Sequence, residues 1–139
     1  MSVRTAVMTS SPTTRQRGLR WLLVAAALVA AVAHVPVTPE HLEEAPYMGV
    51  LFVLLTLACL GLSTVVAVRG APLEYAAAGV VCGLAVVGYV ATRLVAFPQL
   101  ADDVGNWFEP LGVVSVLSEL VVVACAVTAL RRAPRPRHR

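Results

Sequence analysis

The sequence predicts an all-α fold: an integral membrane four-helix bundle, up-down-up-down, with both termini cytoplasmic and short interfacial helices in its two outer connections. Three observations carry this expectation. First, 58% of the 139 residues are hydrophobic, 14% are charged and mean hydropathy is +0.79, which is too apolar for a soluble domain of this size. Second, four apolar runs each reach the roughly 17–25 residues that a helix needs to cross the hydrocarbon core. Third, charge is segregated. Every arginine except Arg93 lies in residues 1–20, at Arg69 or in residues 131–139, whereas most acids fall in residues 40–44 and 102–109. Arginine collects on the cytoplasmic flanks of spans, so the arginine-bearing segments are read as inside and the two acidic connections as outside.

Residues 1–18 are rich in Ser and Thr, carry Arg4, Arg15 and Arg17, and show no apolar period, so they are expected to be a disordered cytoplasmic N-terminus. The first span is expected over 19–35, with Arg20 and Trp21 at its inner lip. Thr38-Pro39-Glu40-His41 then reads as a helix start, Thr38 as N-cap and Pro39 as first helical residue, opening a short interfacial helix that ends near Ala45. The second span, 47–68, is stopped by Arg69-Gly70, and the third, 73–97, ends at Pro98. A second interfacial turn is expected around Asp102-Asp103, followed by Trp107, Phe108 and Pro110. The fourth span, 111–130, runs into the basic tail 131–139. Trp21 and Tyr75 are expected at the inner interface and Tyr47, Trp107 and Phe108 at the outer one. Gly79-Val80-Val81-Cys82-Gly83 is a GxxxG that lets a neighbouring helix approach closely.

A rival reading concerns the first span. Basic residues, an apolar stretch and Ala31-Val32-Ala33 imitate a signal peptide with an A-x-A cleavage site. Cleavage there would make His34 an amino-terminal residue able to chelate copper.

Composition and motifs exclude several function classes. The formal charge of +3 belongs to span ends that meet anionic headgroups, so no nucleic-acid partner is expected. His138 in the tail joins that basic patch. Cys59, Cys82 and Cys125 all lie in apolar runs, without a CxxC or Cys/His cluster, and read as small hydrophobes. There is no nucleotide loop, nucleophile elbow or HExxH motif, so no catalytic residue is assigned and an autonomous enzyme is not expected.

What remains is a set of polar residues at membrane depth. Glu119 lies nine residues beyond Pro110, about 13 Å along the helix. A carboxylate at that depth must be protonated, paired or facing a hydrated cavity, which makes it a functional-site candidate. Tyr89 lies at the same distance from Pro98. Arg93 stands one turn from Tyr89 and Ser115 one turn from Glu119, so both pairs stack on a helix face. With Thr56 on the second span they form a polar seam: Thr56, Tyr89, Arg93, Ser115 and Glu119. One reading is a pocket opening outward, floored by Glu119 and roofed by His34, His41, Glu44, Asp102 and Asp103. The other is a buried Arg93–Glu119 ion pair that fixes helix register. His41 and Glu44, three residues apart, share a helix face and with His34, Asp102 and Asp103 form a candidate transition-metal site on the outer side.

Three stretches carry a resemblance: His41-Leu42-Glu43-Glu44-Ala45-Pro46-Tyr47-Met48-Gly49-Val50-Leu51-Phe52, then Gly88-Tyr89-Val90-Ala91-Thr92-Arg93, then Pro98-Gln99-Leu100-Ala101-Asp102-Asp103-Val104-Gly105-Asn106-Trp107-Phe108-Glu109-Pro110-Leu111-Gly112. The chain beyond residue 30 resembles uncharacterised small four-span bacterial membrane proteins. The resemblance implies the architecture and a shared outer motif, and no reaction.

The leading expectation is a multi-pass protein of the cytoplasmic membrane, embedded in the lipid bilayer, whose polar seam binds a cation, proton or small ligand or docks a membrane-protein partner. Its first rival is a purely structural assembly subunit, forming a homo-oligomer or joining another membrane protein. Its second rival is an extracytoplasmic metal or redox protein.

Overall fold

A computed structural model describes residues 12–133. Four helices account for most of them: α1 (Pro12–Glu44), α2 (Pro46–Val68), α3 (Pro72–Leu94) and α4 (Pro110–Arg132), with a single 3-10 turn at Ala101–Asp103. α2, α3 and α4 each begin at a proline, the residue whose fixed φ and missing N–H suit the first helical position. All four are long and apolar enough to cross a membrane.

The main departure from expectation is α1. It starts at Pro12, so residues 12–18 are helical, while residues 1–11 and the tail beyond 133, His138 included, lie outside the described residues. It also continues through Pro36 and Pro39 to Glu44 as one 33-residue helix, about 50 Å long at 1.5 Å per residue. No separate interfacial helix forms at 38–45. Thr38 caps nothing; its Oγ1 donates to His34 O one turn back (2.7 Å). Likewise, His41 Nδ1 bonds Val37 O (2.9 Å) and His34 Nδ1 bonds Ala30 O (2.7 Å). Each proline deletes one backbone bond, but such losses are tolerated where side chains and neighbouring helices support the turn. Here that support comes from α2. A Cβ added at Gly49 would lie 2.7 Å from Leu42 N and 2.6 Å from Leu42 Cγ, so the end of α1 rests directly on the backbone of α2. Buried Ala45 alone links the two helices.

α1 packs against α2 and α4, and α3 packs against α4, whereas α2 and α3 touch much less. The core joins Leu23, Ala27, Ala30 and Ala31 of α1 to Cys59 and Val66 of α2, Tyr75, Ala78 and Cys82 of α3, and Val122, Cys125, Ala126 and Ala129 of α4. The alanine-rich run that imitates a signal peptide therefore supplies the centre of the core. Small residues bring backbones close, which is how helices associate where lipid removes the usual hydrophobic drive. The GxxxG of α3 works in this way within the chain: a Cβ at Gly79 would come 3.1 Å from Ala126 Cβ of α4. Tyr75 is 3% exposed and part of the core, not an interfacial anchor. Its position in the first turn of α3 matched the interfacial pattern, but packing against α1 and α4 decides its place. Leu22, Val29, Leu57, Val80, Val87 and Leu117 are exposed on the outside of the bundle, as lipid-facing positions are.

The two ends differ in charge. Arg20 lies against the Gly70 turn, its Nη1 3.2 Å from where a Cβ would be, and Arg131 and Arg132 close α4. The other end carries the last turns of α1, the start of α2, the end of α3 and the segment 95–109.

Candidate functional site

At that second end the helices enclose a cavity of about 640 Å³. Its upper wall is built by the extra height of α1, which places Glu40, His41 and Glu44 over the mouth. Several tethers hold the segment 95–109 across the top. Tyr47 OH donates to Pro98 O (2.7 Å), Tyr89 OH donates to Trp107 O (2.8 Å), and the Gly105 N–H donates to Arg93 O (3.0 Å). Gly105, at φ +79°, takes a left-handed conformation open to glycine at no steric cost. The segment ends on Glu109, whose carboxylate caps α4 by accepting from the N–H groups of Leu111 (3.0 Å) and Gly112. Gly112 is required there, since a Cβ would lie 2.6 Å from Glu109 Oε2 and 2.7 Å from the Tyr89 ring.

The buried floor joins α1 to α4. Glu119, 2% exposed, accepts from Ser115 Oγ (3.1 Å). Ser115 Oγ also lies 3.2 Å from His34 Nε2, and His34 Nε2 is 3.8 Å from Glu119 Oε1. The proton count of this array follows from its hydrogen bonds. A carbonyl only accepts, so His34 Nδ1, bonded to Ala30 O, carries a hydrogen. The two Ser115 contacts need two hydrogens, and the hydroxyl supplies one. The second sits either on His34 Nε2, facing an ionised Glu119, or on Glu119, facing a neutral His34. Both forms are neutral overall, and they interconvert by a proton moving along Ser115.

Arg93 takes no part in this floor. Its guanidinium pairs with the Asp103 carboxylate, donates to Asp103 O (3.2 Å) and stacks 4.7 Å from the Tyr89 ring centroid. The expected Arg93–Glu119 register lock is thus replaced by a tether between α3 and the overlying segment. Physically, Arg93 sits in the last turn of α3, where a long side chain reaches the polar end more readily than the membrane centre. Tyr89 and Arg93 therefore serve the roof, while Ser115 and Glu119 serve the floor. Thr56 stands apart: its Oγ1 is buried without a hydrogen-bond partner among the described residues, and it does not line the cavity.

His34, His41, Glu44, Asp102 and Asp103 all line the same cavity. Among the described residues, however, no three His, Cys, Asp or Glu side chains are gathered as a metal site. Both imidazole Nδ1 atoms are bound to helix carbonyls and Asp103 is taken by Arg93. The two rings instead flank Phe52, with centroids at 5.1 Å and 4.9 Å. Cys59 of α2 and Cys82 of α3, free and buried, are neighbours in the shared core.

Sequence reasoning missed three features. The Ser115–His34 contact was open to a helical-depth argument, since His34 lies on the same continuous helix as the roof residues. Glu109 as N-cap was signalled by the proline after it. The Cys59–Cys82 contact had no signal beyond two cysteines in apolar runs. Compared with protein-family models, curated proteins and solved structures, the chain finds no match.

Proposed function

We propose that this chain is a four-span protein of the cytoplasmic membrane, running up-down-up-down with both termini inside, whose outward-facing cavity binds a cation in exchange for the proton held between His34 and Glu119. Orientation follows from the arginines Arg15, Arg17, Arg20, Arg69, Arg131 and Arg132 standing at the end opposite the cavity. The reading rests on one observation, the hydrogen-bonded His34–Ser115–Glu119 array at the floor of an acid-lined cavity. Glu40, Glu44, Asp102, Asp103, Glu109 and Glu119 face it, against a single guanidinium, Arg93, which Asp103 already neutralises.

The exchange balances in charge. A cation that settles beside Glu119 replaces the shared proton, which leaves through the cavity, and the floor stays neutral with Glu119 ionised and His34 uncharged. A neutral floor is the state that membrane depth favours. The cysteines below and the histidine His41 above add no fixed charge at the floor itself. The assembly-subunit alternative had GxxxG and an Arg93–Glu119 pair lock packing; Gly79 does pack on Ala126 of α4, while Arg93 pairs with Asp103 instead.

The test is labelling by dicyclohexylcarbodiimide, which attacks a protonated carboxyl in apolar surroundings. Glu119 should be labelled in the wild-type protein, and sodium, tetramethylammonium or tetraphenylphosphonium should suppress the labelling as it saturates. Labelling that none of the three cations alters would overturn the reading, as would an unlabelled Glu119.

A further inference from the structure

The cavity is not closed on all sides. Leu51 and Leu54 of α2 and Leu84 of α3 line it, yet they are 52%, 57% and 67% exposed. A wall residue that is mostly exposed marks an opening, and these three belong to α2 and α3, which touch each other much less than the other packed pairs do. Gly88, also on this wall, has nothing within 4 Å of where its Cβ would be. Below the opening Cys59 of α2 and Cys82 of α3 are both about fully buried in the shared core. The gap therefore has a floor, and Leu84 lies near the middle of α3, which the proposed membrane placement sets at hydrocarbon depth.

Two further observations set the chemistry of an occupant. At about 640 Å³ the cavity has the size of a site for an organic molecule, in the range of roughly 300–1,000 Å³ for such pockets, and not that of a bare ion. At its inner end the buried Glu119 carboxylate lines the cavity and meets Ser115 Oγ through Oε1. The same buried carboxylate has no cation nearer than His34. The polar half of the cavity thus calls for positive charge, and the half that opens to the bilayer calls for apolar surface.

We propose that the ligand is an amphiphilic organic cation, an amine or quaternary onium ion with an apolar body, which enters from the bilayer between α2 and α3 and brings its charge to Glu119. The proposal rests on the cation-exchange reading of the cavity and adds to it the ligand class and the route. A hydrophilic cation would leave the leucine wall without purpose, and an anion would meet the acids. Lipophilic cations concentrate in membranes before they bind, so a lateral door at hydrocarbon depth meets them where they already are.

The test uses the full chain in lipid nanodiscs with labelled tetraphenylphosphonium as probe. Tetraphenylborate, an anion of the same shape, controls for partition into lipid, and tetramethylammonium supplies charge without an apolar body. Saturable tetraphenylphosphonium binding is expected, with tetramethylammonium weaker by at least about tenfold and no saturable tetraphenylborate binding. Leu84→Trp should close the door and weaken tetraphenylphosphonium binding by about tenfold or more, while carbodiimide labelling of Glu119 persists and shows the floor intact. Leu54→Trp, on the opposite jamb, should do the same. Binding unaffected by both tryptophans, or shared equally by tetraphenylborate, would overturn the proposal. If sodium or tetramethylammonium protects Glu119 and tetraphenylphosphonium does not, the cavity reading stands and this inference fails.

Discussion

Removing the Asp103 carboxylate by Asp103→Asn should destabilise the protein through Arg93 alone. Arg93 is 7% exposed and Asp103 25% exposed on the side chain, so the pair is partly screened. Breaking a fully buried pair costs about 3–5 kcal/mol. Here the Asp103 carbonyl and the Tyr89 ring still face the stranded guanidinium, and the exposed side of Asp103 admits water. The expected loss is therefore about 1–3 kcal/mol. A double-mutant cycle with Arg93→Met should return a coupling of about 1–2 kcal/mol, whereas Arg93→Met combined with Glu119→Gln should be additive within about 0.5 kcal/mol. Unfolding by SDS in mixed micelles, followed through Trp21 and Trp107 fluorescence, provides the stabilities. Strong Arg93–Glu119 coupling with none between Arg93 and Asp103 would refute the separation of roof from floor.

Other consequences follow from the packing and the placement of charge. Gly49→Ala should cost about 2–3 kcal/mol in the same unfolding assay, because its Cβ must displace Leu42 backbone as well as side chain; an unchanged stability would mean that α1 does not rest on α2 there. Cysteines placed at Glu40 and Asp103 should react with an impermeant thiol reagent in intact cells, and labelling only after lysis would reverse the proposed orientation. Zinc binding to the purified protein should not differ between wild type and His41→Ala, since no three ligands are gathered among the described residues; a stoichiometric metal lost on that substitution would contradict this geometry.

How much of this was legible follows from which signals are one-dimensional. Apolar runs of sufficient length mark helices able to cross a membrane, and their depth arithmetic singled out Glu119 and Ser115 without knowledge of neighbours. The break at Pro36–Pro39 was misread because proline rules are local, while the tertiary contact of Leu42 on Gly49 that holds α1 together is not. The same misreading hid His34 as a floor residue, since a histidine at the outer end of a span is expected near the interface. Arg93 was matched to Glu119 by sign and approximate depth. Its reach towards the polar end, and the return of Asp103 over the top of α3, depend on the path of residues 95–109, which no periodicity encodes. Tyr75 shows the converse: an interfacial residue type in an interfacial position, drawn into the core by helix packing.

Proton release on cation binding tests the proposed cavity most directly. In weakly buffered solution, saturating the purified wild-type protein with tetraphenylphosphonium should release protons in proportion to the cation bound, approaching one for one because the His34–Ser115–Glu119 array holds a single exchangeable proton. Glu119→Gln should abolish the release. Cation binding without proton release in the wild type, or an equal release from the Glu119→Gln protein, would contradict exchange at this floor.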